Sequence, residues 1–553
     1  MKYSGAEITI KLLERQGITT IAGIPGGANL PLYHALYGSS INHILSRHEQ
    51  GAGFIAQGIA RSTGKTAVCF ATSGPGVVNL LTAIADAKLD SIPVVAITGQ
   101  VASSFIGTDA FQEIDTYGMT LPITKHNFLV RSAQELLTVI PEAFRIAGSG
   151  RPGPVVVDIP KDVQIEQIEI SRWPEPGTPG VADPIDKDAI ETAARMINNA
   201  QRPLLFIGGG IIASEASLQL RELVHTHSIP VVSTLNGLGA IDDDDPLYFG
   251  MLGMHGARAT NELVDECDLL IALGVRFDDR ATGKVSQFAP NAAILHIDID
   301  KSEFNKIKKS HCSIKGNVAE ALSLLSDHIL KLPRPEWAGT VKNKKSQLIG
   351  SRIREKDNLH PSNIIRFVST IAPDNAIITT DVGQHQMWVA QTYPFRQPRT
   401  LLTSGGLGTM GFGLPAAIGA ALAHLDRTVI CFSGDGSILM NIQELATIAD
   451  HQLNVKVLLF NNGHLGLVRQ QQELFYNKTY MASRFIANPE FAAIAAGFGI
   501  KSATISDPLG IEKMVPGLLS QKGPAFINII IPHEYNVLPM VPPGAANRDT
   551  IGD

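Results

Sequence analysis

Thr428-Val-Ile-Cys-Phe-Ser-Gly-Asp-Gly-Ser437 opens with an apolar run that predicts a short buried strand over 428–433 and closes on a turn of small residues. From Ser437 to Asp450, Ile438, Leu439, Ile442, Leu445 and Ile448 recur at helical spacing, so a helix is expected there. A second strand-like run, Val455 to Phe460, ends at Asn461-Asn462, 24 residues after Ser437. Strand, helix and strand in that order predict two parallel strands whose polar tips share one crevice at their carboxyl ends, where open α/β sheets bind ligands. Gly434 and Gly436 let the backbone approach a phosphate, and the helix start offers N–H donors. Asp435 and Asn462 add oxygens for a hard cation; magnesium takes few protein ligands and completes its octahedron with phosphate oxygens and water. Gly-Asp-Gly by itself is ordinary turn chemistry. Its spacing to Asn-Asn is what carries the reading of a diphosphate clamp.

Outward from this segment, 553 residues with 44% apolar content provide for about three or four domains with their own cores. The net charge of −6 is spread without blocks, which argues against a nucleic-acid partner or a membrane-surface patch. Cys69, Cys267, Cys312 and Cys431 are scattered, with no Cys-x-x-Cys pair, as expected of a reduced, cytoplasmic protein. Neither the start of the chain nor any later apolar run reads as a signal peptide or a membrane span.

Strand-like and helix-like runs alternate throughout, predicting an α/β chain of three doubly wound, parallel-sheet domains. Pro- and Gly-rich residues 170–186 and the charged stretch 332–361 read as linkers, giving modules 1–168, 187–331 and 361–553. Strands are expected near 66–71, 92–98 and 154–159 in the first module and at 524–531 in the third. In the middle module, Leu204-Leu-Phe-Ile207 precedes Gly208-Gly-Gly210, and runs at 268–274 and 292–298 follow, a pattern suited to nucleotide binding though weak by itself.

The segment around Asp435 and Asn462 resembles the diphosphate–magnesium signature of thiamine diphosphate (ThDP) enzymes. In such enzymes a carboxylate from another module hydrogen-bonds the pyrimidine ring and so helps C2 of the thiazolium to lose its proton. Glu49, in Arg47-His-Glu-Gln50 before a Gly/Ala-rich helix, is the candidate; by position alone it complements the helix dipole equally well. Ser73-Gly-Pro-Gly76 reads as a tight strand-to-helix turn that can also bring backbone against a ring.

Further motifs narrow the resemblance: Gly23-Ile-Pro-Gly-Gly27, Gly107-Thr-Asp-Ala-Phe-Gln-Glu113, Ser149-Gly-Arg-Pro-Gly-Pro154, Gly250-Met-Leu-Gly-Met-His-Gly256, Arg276-Phe-Asp-Asp-Arg280, Asp381-Val-Gly-Gln-His385 and Gly406-Leu-Gly-Thr-Met-Gly411. Along essentially its whole length the chain resembles the acetohydroxyacid synthase (acetolactate synthase) catalytic subunits. The resemblance implies a transferase that decarboxylates pyruvate and passes the two-carbon unit to a second pyruvate or to 2-ketobutyrate, in valine, leucine and isoleucine biosynthesis. It implies ThDP, Mg2+ and a non-redox, structural FAD as cofactors, a homodimer or homotetramer, and a separate small regulatory subunit.

Carried over by residue, Glu49, Gln112 and Arg276 would be catalytic. Asp435, Asn462 and the carbonyl of His464 would bind the metal, with Gly383, Gln384, His385, Gly434, Gly436 and Ser437 around the diphosphate. Pro25, Gly26, Asn79, Gly408, Leu465 and Gly466 would complete the ThDP site, and Met410 would be the apolar wedge that bends the cofactor. FAD would contact Arg151, Gly208, Gly209, Gly210, Met254, His255, Arg276 and Asp298. Phe111, Lys161, Arg276 and Gln471 would line the substrate channel; without the resemblance, Phe111 reads as core, Lys161 as a solvated charge and Arg276 as a partner for Asp278 or Asp279.

Two departures from relatives matter. Lys315-Gly-Asn317 replaces a common Gly-Asp on the flavin side. Gln471 stands where many relatives have a Trp that favours 2-ketobutyrate; losing that apolar contact forfeits about 1–3 kcal/mol of discrimination, so only weak preference is expected. Glyoxylate carboligase characteristically lacks the carboxylate found here at Glu49, and simple 2-keto acid decarboxylases carry a His-His pair, absent from this sequence. A pyruvate oxidase, or a non-catalytic nucleotide-binding scaffold, are the other readings.

Overall fold

The computed structural model describes residues 1–180, 183–351 and 357–552, so residues 181–182 and 352–356 of the two expected linkers lie outside it. Three six-stranded sheets, each wholly parallel, follow one another along the chain, as the alternating pattern predicts. In the first, the strands Thr20–Gly23, Asn42–Leu45, Ala67–Ala71, Val94–Gln100, His126–Leu129 and Val155–Pro160 lie in the spatial order 2-1-3-4-6-5. The last sheet, built from Ile377–Thr380, Leu401–Leu402, Val429–Gly434, Val455–Asn461, Lys501–Ile505 and Ala525–Ile530, has the same order. Between them, Pro203–Ile207, Val231–Ser233, Tyr248–Met251, Leu269–Leu273, Ala293–Asp298 and Cys312–Lys315 lie 3-2-1-4-5-6, the dinucleotide-binding order. Each order reverses beside its first strand, leaving a crevice at the carboxyl ends there.

The outer two modules share one apolar core. The helix Glu49–Thr63 lies against Gly413–Ala423, and both are small-residue helices because their backbones nearly touch. A Cβ on Gly58 would sit 2.2 Å from Ala416 O, and one on Gly419 2.0 Å from Ile55 O. Phe54 and Phe412 close the same interface edge to face.

Two expectations need correction. The helix expected over 437–450 is three pieces: Asp435–Ile438, a 3-10 turn at Ile442–Glu444, and Leu445–Asp450. Asn441 breaks it by donating to Gly411 O (2.8 Å) and Gln50 Oε1 (3.2 Å), while Glu444 accepts from the Arg47 and His48 N–H groups of the first module. The stretch 332–361 is not a bare linker: Pro335–Ser351 is a helix that buries Trp337, Val341 and Leu348 on the middle module, with Trp337 Nε1 donating to Pro203 O. No helix among the described residues is long and apolar enough to cross a membrane.

Candidate active site and cofactor cavity

Asp435 follows directly on the strand Val429–Gly434 at the switch point of the last sheet. Its Oδ2 accepts from Gly463 N–H (2.7 Å) and Asn488 Nδ2 (3.0 Å), which draws the tip of the neighbouring strand to it. Asn462 accepts from His464 N–H at 3.1 Å and donates to Gln384 Oε1 at 3.3 Å. Asp435 and Asn462 are thus brought together, as the spacing predicted, and His464, named only by the resemblance, lies beside them. The glycines pack directly on neighbouring side chains: a Cβ on Gly436 would lie 2.6 Å from Leu465, one on Gly434 2.9 Å from the His385 ring, and one on Gly466 2.1 Å from Gln384 Oε1. Met410 reaches to 3.7 Å of the same Gly436 Cβ position, and Ser437 donates to Val382 O. Burial pushes the Asp435 carboxyl up to about 6, although Asn488, Gly463 and Gly436 donate to it. Burial pushes the His385 imidazole down to about 3, so the ring is neutral, and its buried Nε2 has no partner among the described residues. A buried polar atom left bare beside a glycine cradle marks a place where a ligand or water supplies the partner. Sequence reasoning missed Asn488, because it lies 53 residues beyond Asp435 with no local motif around it.

In the first sheet, Glu49 begins the helix after the edge strand Asn42–Leu45 and is buried, with Oε2 reaching over the matching switch point to accept from Asn79 Nδ2, on the helix after the third strand, at 3.0 Å. The Ser73-Gly-Pro-Gly76 loop runs past it: a Cβ on Gly76 would lie 3.4 Å from Glu49 Oε1. The Pro25-Gly26 loop closes from the other side, with Gly26 N–H donating to Asn29 Oδ1 and Gly26 packed on the Thr72 side chain. The Thr72 and Ser73 hydroxyls are buried without partners among the described residues. Gln112, in the left-handed region at φ 61°, backs onto Gly74. Phe111 is not core but 88% exposed. The Glu113 carboxylate gathers the N–H groups of Gly107, Thr108 and Ala110, and the loop so folded holds the ring outward. Lys161 is exposed at the start of Lys161–Ile165, as expected.

A cavity of about 1480 Å³ opens where all three modules meet, and every residue assigned to the flavin side lines it, together with Gly408 and Gln471. Gly208 to Gly210 turn at the switch point of the middle sheet, where a Cβ on Gly210 would lie 2.5 Å from Gly274 Cα. Arg151 reaches across from the first module to Glu303 (2.7 Å). His255 is buried, neutral because burial lowers it to about 4, and its Nδ1 has no partner among the described residues. Burial pushes Asp298 up to about 6. Arg276 donates to Leu89 O at 2.7 Å rather than pairing with its neighbours: Asp278 caps the turn after it, and Asp279 pairs with Arg280 at 3.6 Å. Arg280, which the sequence did not single out, also lines the cavity, with 68% of its side chain exposed. Of the departing residues, Lys315 pairs with Asp183 and Asn317 caps the helix Val318–Ser326, both on the cavity wall.

The chain matches three family models in order: the N-terminal TPP binding domain of thiamine pyrophosphate enzymes over residues 3–119, the central domain over 190–325 and the C-terminal TPP binding domain over 381–529. It is 53% identical to the acetolactate synthase isozyme 1 large subunit of Escherichia coli (strain K12), over 100% of this chain and 98% of that protein. The chain belongs to the acetolactate synthase large subunits. The isozyme 2 large subunit of the same organism is 46% identical over 99% of both chains, and the chloroplastic acetolactate synthase of Arabidopsis thaliana 45% over 99% of this chain and 84% of that one. An acetolactate synthase is a ThDP-dependent enzyme, and the two switch-point clusters fall in the two matched outer modules, the first wholly within the N-terminal TPP binding domain.

Proposed function

We propose that this acetolactate synthase decarboxylates pyruvate and joins the remaining two-carbon unit to a second pyruvate, giving 2-acetolactate, or to 2-ketobutyrate, giving 2-aceto-2-hydroxybutyrate, toward valine, leucine and isoleucine. The observation that carries this reading is the pair of equivalent switch points, one presenting Glu49 with Asn79 and the other Asp435 with Asn462. Modules 1–168 and 361–553 would bind the two ends of ThDP and module 187–331 the flavin.

When bound, ThDP supplies an acidic carbon and the electron sink for decarboxylation. Glu49, held by Asn79 in a buried setting, would hydrogen-bond its pyrimidine. Asp435, Asn462 and the carbonyl of His464 would hold Mg2+. Gly383, Gln384, His385 and Ser437 would surround the diphosphate. Met410 would wedge the cofactor from the Gly436 side. FAD would fill the large cavity in a structural role, because the reaction involves no net oxidation; the dinucleotide strand order and the bare His255 Nδ1 support this.

For the acceptor carboxylate, Arg276 and Arg280 both line the cavity, and a guanidinium fork suits either. Arg276 spends one N–H on Leu89, whereas Arg280 is held by Asp279 and Met254. Exchanging each for Lys separates them: the one that grips substrate raises KM for the acceptor, and the other changes stability alone. Phe111, Gln112 and Lys161 would reach the channel of a neighbouring subunit in a homodimer or homotetramer, and a small regulatory subunit would associate. Buried, unpaired Cys69, Cys267 and Cys431 support a cytoplasmic setting.

The test is the purified chain with ThDP, Mg2+, FAD and pyruvate, with and without its small subunit. Acetolactate formation that requires ThDP is expected; acetate with peroxide would make it an oxidase instead. In competition, 2-ketobutyrate is expected to be only weakly preferred over pyruvate, and Gln471→Trp to raise that preference about tenfold.

A further inference from the structure

Gln470 precedes the proposed acceptor residue Gln471 on the helix Gly466–Phe475, yet it lies about 100° around the helix from it and is completely buried. Every hydrogen-bonding position of its amide is engaged. Oε1 accepts from Gln384 Nε2 at 2.9 Å and from Val537 N–H at 2.7 Å, and Nε2 donates to Val537 O at 3.0 Å and Met540 Sδ at 3.5 Å. The amide therefore pairs with Val537 as a neighbouring strand would, fastening the C-terminal segment to this helix. Gln384 continues the connection: it donates to Tyr535 O at 2.9 Å and accepts from Asn462 Nδ2 at 3.3 Å. A Cβ on Gly466, the first residue of the helix, would meet Gln384 Oε1 at 2.1 Å, so the start of the helix packs directly on the Gln384 side chain. Beyond Val537, Val541 N–H donates to Met254 O on the cavity wall at 2.7 Å.

We propose that Gln470 is a positioning residue that sets the rotation of the helix Gly466–Phe475, so that Gln471 faces the cavity while Asn462 stays in register for its cation. The inference rests on the reading of Gln471 and Asn462 given above. A buried amide bonded on both sides has one orientation, and removing it leaves the groups of Gln384 and Val537 unpaired, so the helix has to turn or water has to enter. Gln470 thereby specifies the acceptor without touching it.

The experiment is a cycle on the full-length enzyme loaded with ThDP, Mg2+ and FAD, reading the ratio of the two hydroxyacid products when pyruvate and 2-ketobutyrate compete. Gln471→Trp alone is expected to raise that ratio about tenfold. In a Gln470→Leu background the same step is expected to raise it less than about twofold, since the two sites are coupled. Gln470→Glu keeps both acceptor bonds and is expected to restore part of the effect. Calorimetric titration of each cofactor-depleted variant with Mg2+ and ThDP gives a reading independent of turnover: affinity falls about tenfold in Gln470→Leu and is unchanged in Gln471→Trp. A full Trp effect in the Leu background, with unaltered cofactor affinity, overturns the proposal. A Gln471→Trp that moves nothing in the otherwise unmodified enzyme removes the acceptor reading of Gln471, and the proposal with it. Should Gln470→Leu not fold, Gln470→Met, closer in length and without an amide, carries the test, and wild-type ratios and affinity in that variant overturn it.

Discussion

Glu49 spends one carboxylate oxygen on Asn79 and turns the other toward the Gly76 loop, so an isosteric amide at this position keeps the packing and loses the charge. Glu49→Gln is expected to slow acetolactate formation by about 10²–10⁴ while ThDP still binds by calorimetry; near-normal turnover would take Glu49 out of the reaction. A different carboxylate, Asp158, lies buried across the same sheet, accepting from Thr98 Oγ1 and Gln100 Nε2. Burial pushes it up from 3.8 to about 7, so the folded protein holds this proton more tightly than the unfolded chain does. Its contribution to stability is complete below pH 3.8 and is lost as pH rises toward about 7, by about 1.4 kcal/mol per unit. Asp158→Asn removes that dependence, so the urea midpoint of the variant should gain on wild type between about pH 5 and about pH 8. A constant difference would show that this carboxyl does not titrate in the window. The positions legible in the sequence were those with a local setting, such as Asp435 after its strand and Glu49 at its helix start. Asn488 and Gln470 owe their settings to groups far along the chain, which no local pattern records.

Strands were legible for the same reason: apolar runs ending in Gly or Asn mark the carboxyl tips, and the runs at 455–460 and 524–531 appear as Val455–Asn461 and Ala525–Ile530. The helix expected over 437–450 was misread because apolar periodicity is blind to Asn441 and Glu444 bonding another module. The same kind of contact holds the segment that carries Gly408 and Met410. At the end of the helix Pro75–Asp90, Asp86 accepts from Ser404 and Thr409, Asp90 accepts from Gly405 and Gly406 N–H, and Arg61 lies between the two carboxylates. Burial raises the Asp86 pKa, opposed chiefly by the Arg61 guanidinium between the two carboxylates. Asp86→Asn is expected to cost about 1–3 kcal/mol in urea unfolding and also to lower kcat by freeing the Met410 loop. Lost stability with unchanged kcat would show that the clamp supports the fold and not the site.

At the scale of the molecule, one sheet order serves twice, and its two switch points bear the two halves of the proposed ThDP site. The hydrogen bonds of Glu49 and those of Asp435 share no residue: Glu49 is tied to Asn79, and Asp435 to Gly436, Gly463 and Asn488. Around the first cluster the Gly107–Glu113 loop holds Phe111 out into solvent, and Ile486, close in sequence to Asn488, is wholly exposed as well. Large apolar side chains displayed beside half-sites are what an interface between copies covers. A site shared between two copies predicts complementation. Glu49→Gln chains and Asp435→Ala chains are each expected to be inactive alone, but mixed in equal amounts, unfolded and refolded together, they form hybrid dimers. In each hybrid one site receives an intact Glu49 from one subunit and an intact Asp435 from the other, while the second site receives both lesions. With random pairing about half the dimers are hybrids and each has one working site, so about a quarter of wild-type activity should return. A site built within one chain gives no recovery at any mixing ratio, because every chain then carries a lesion.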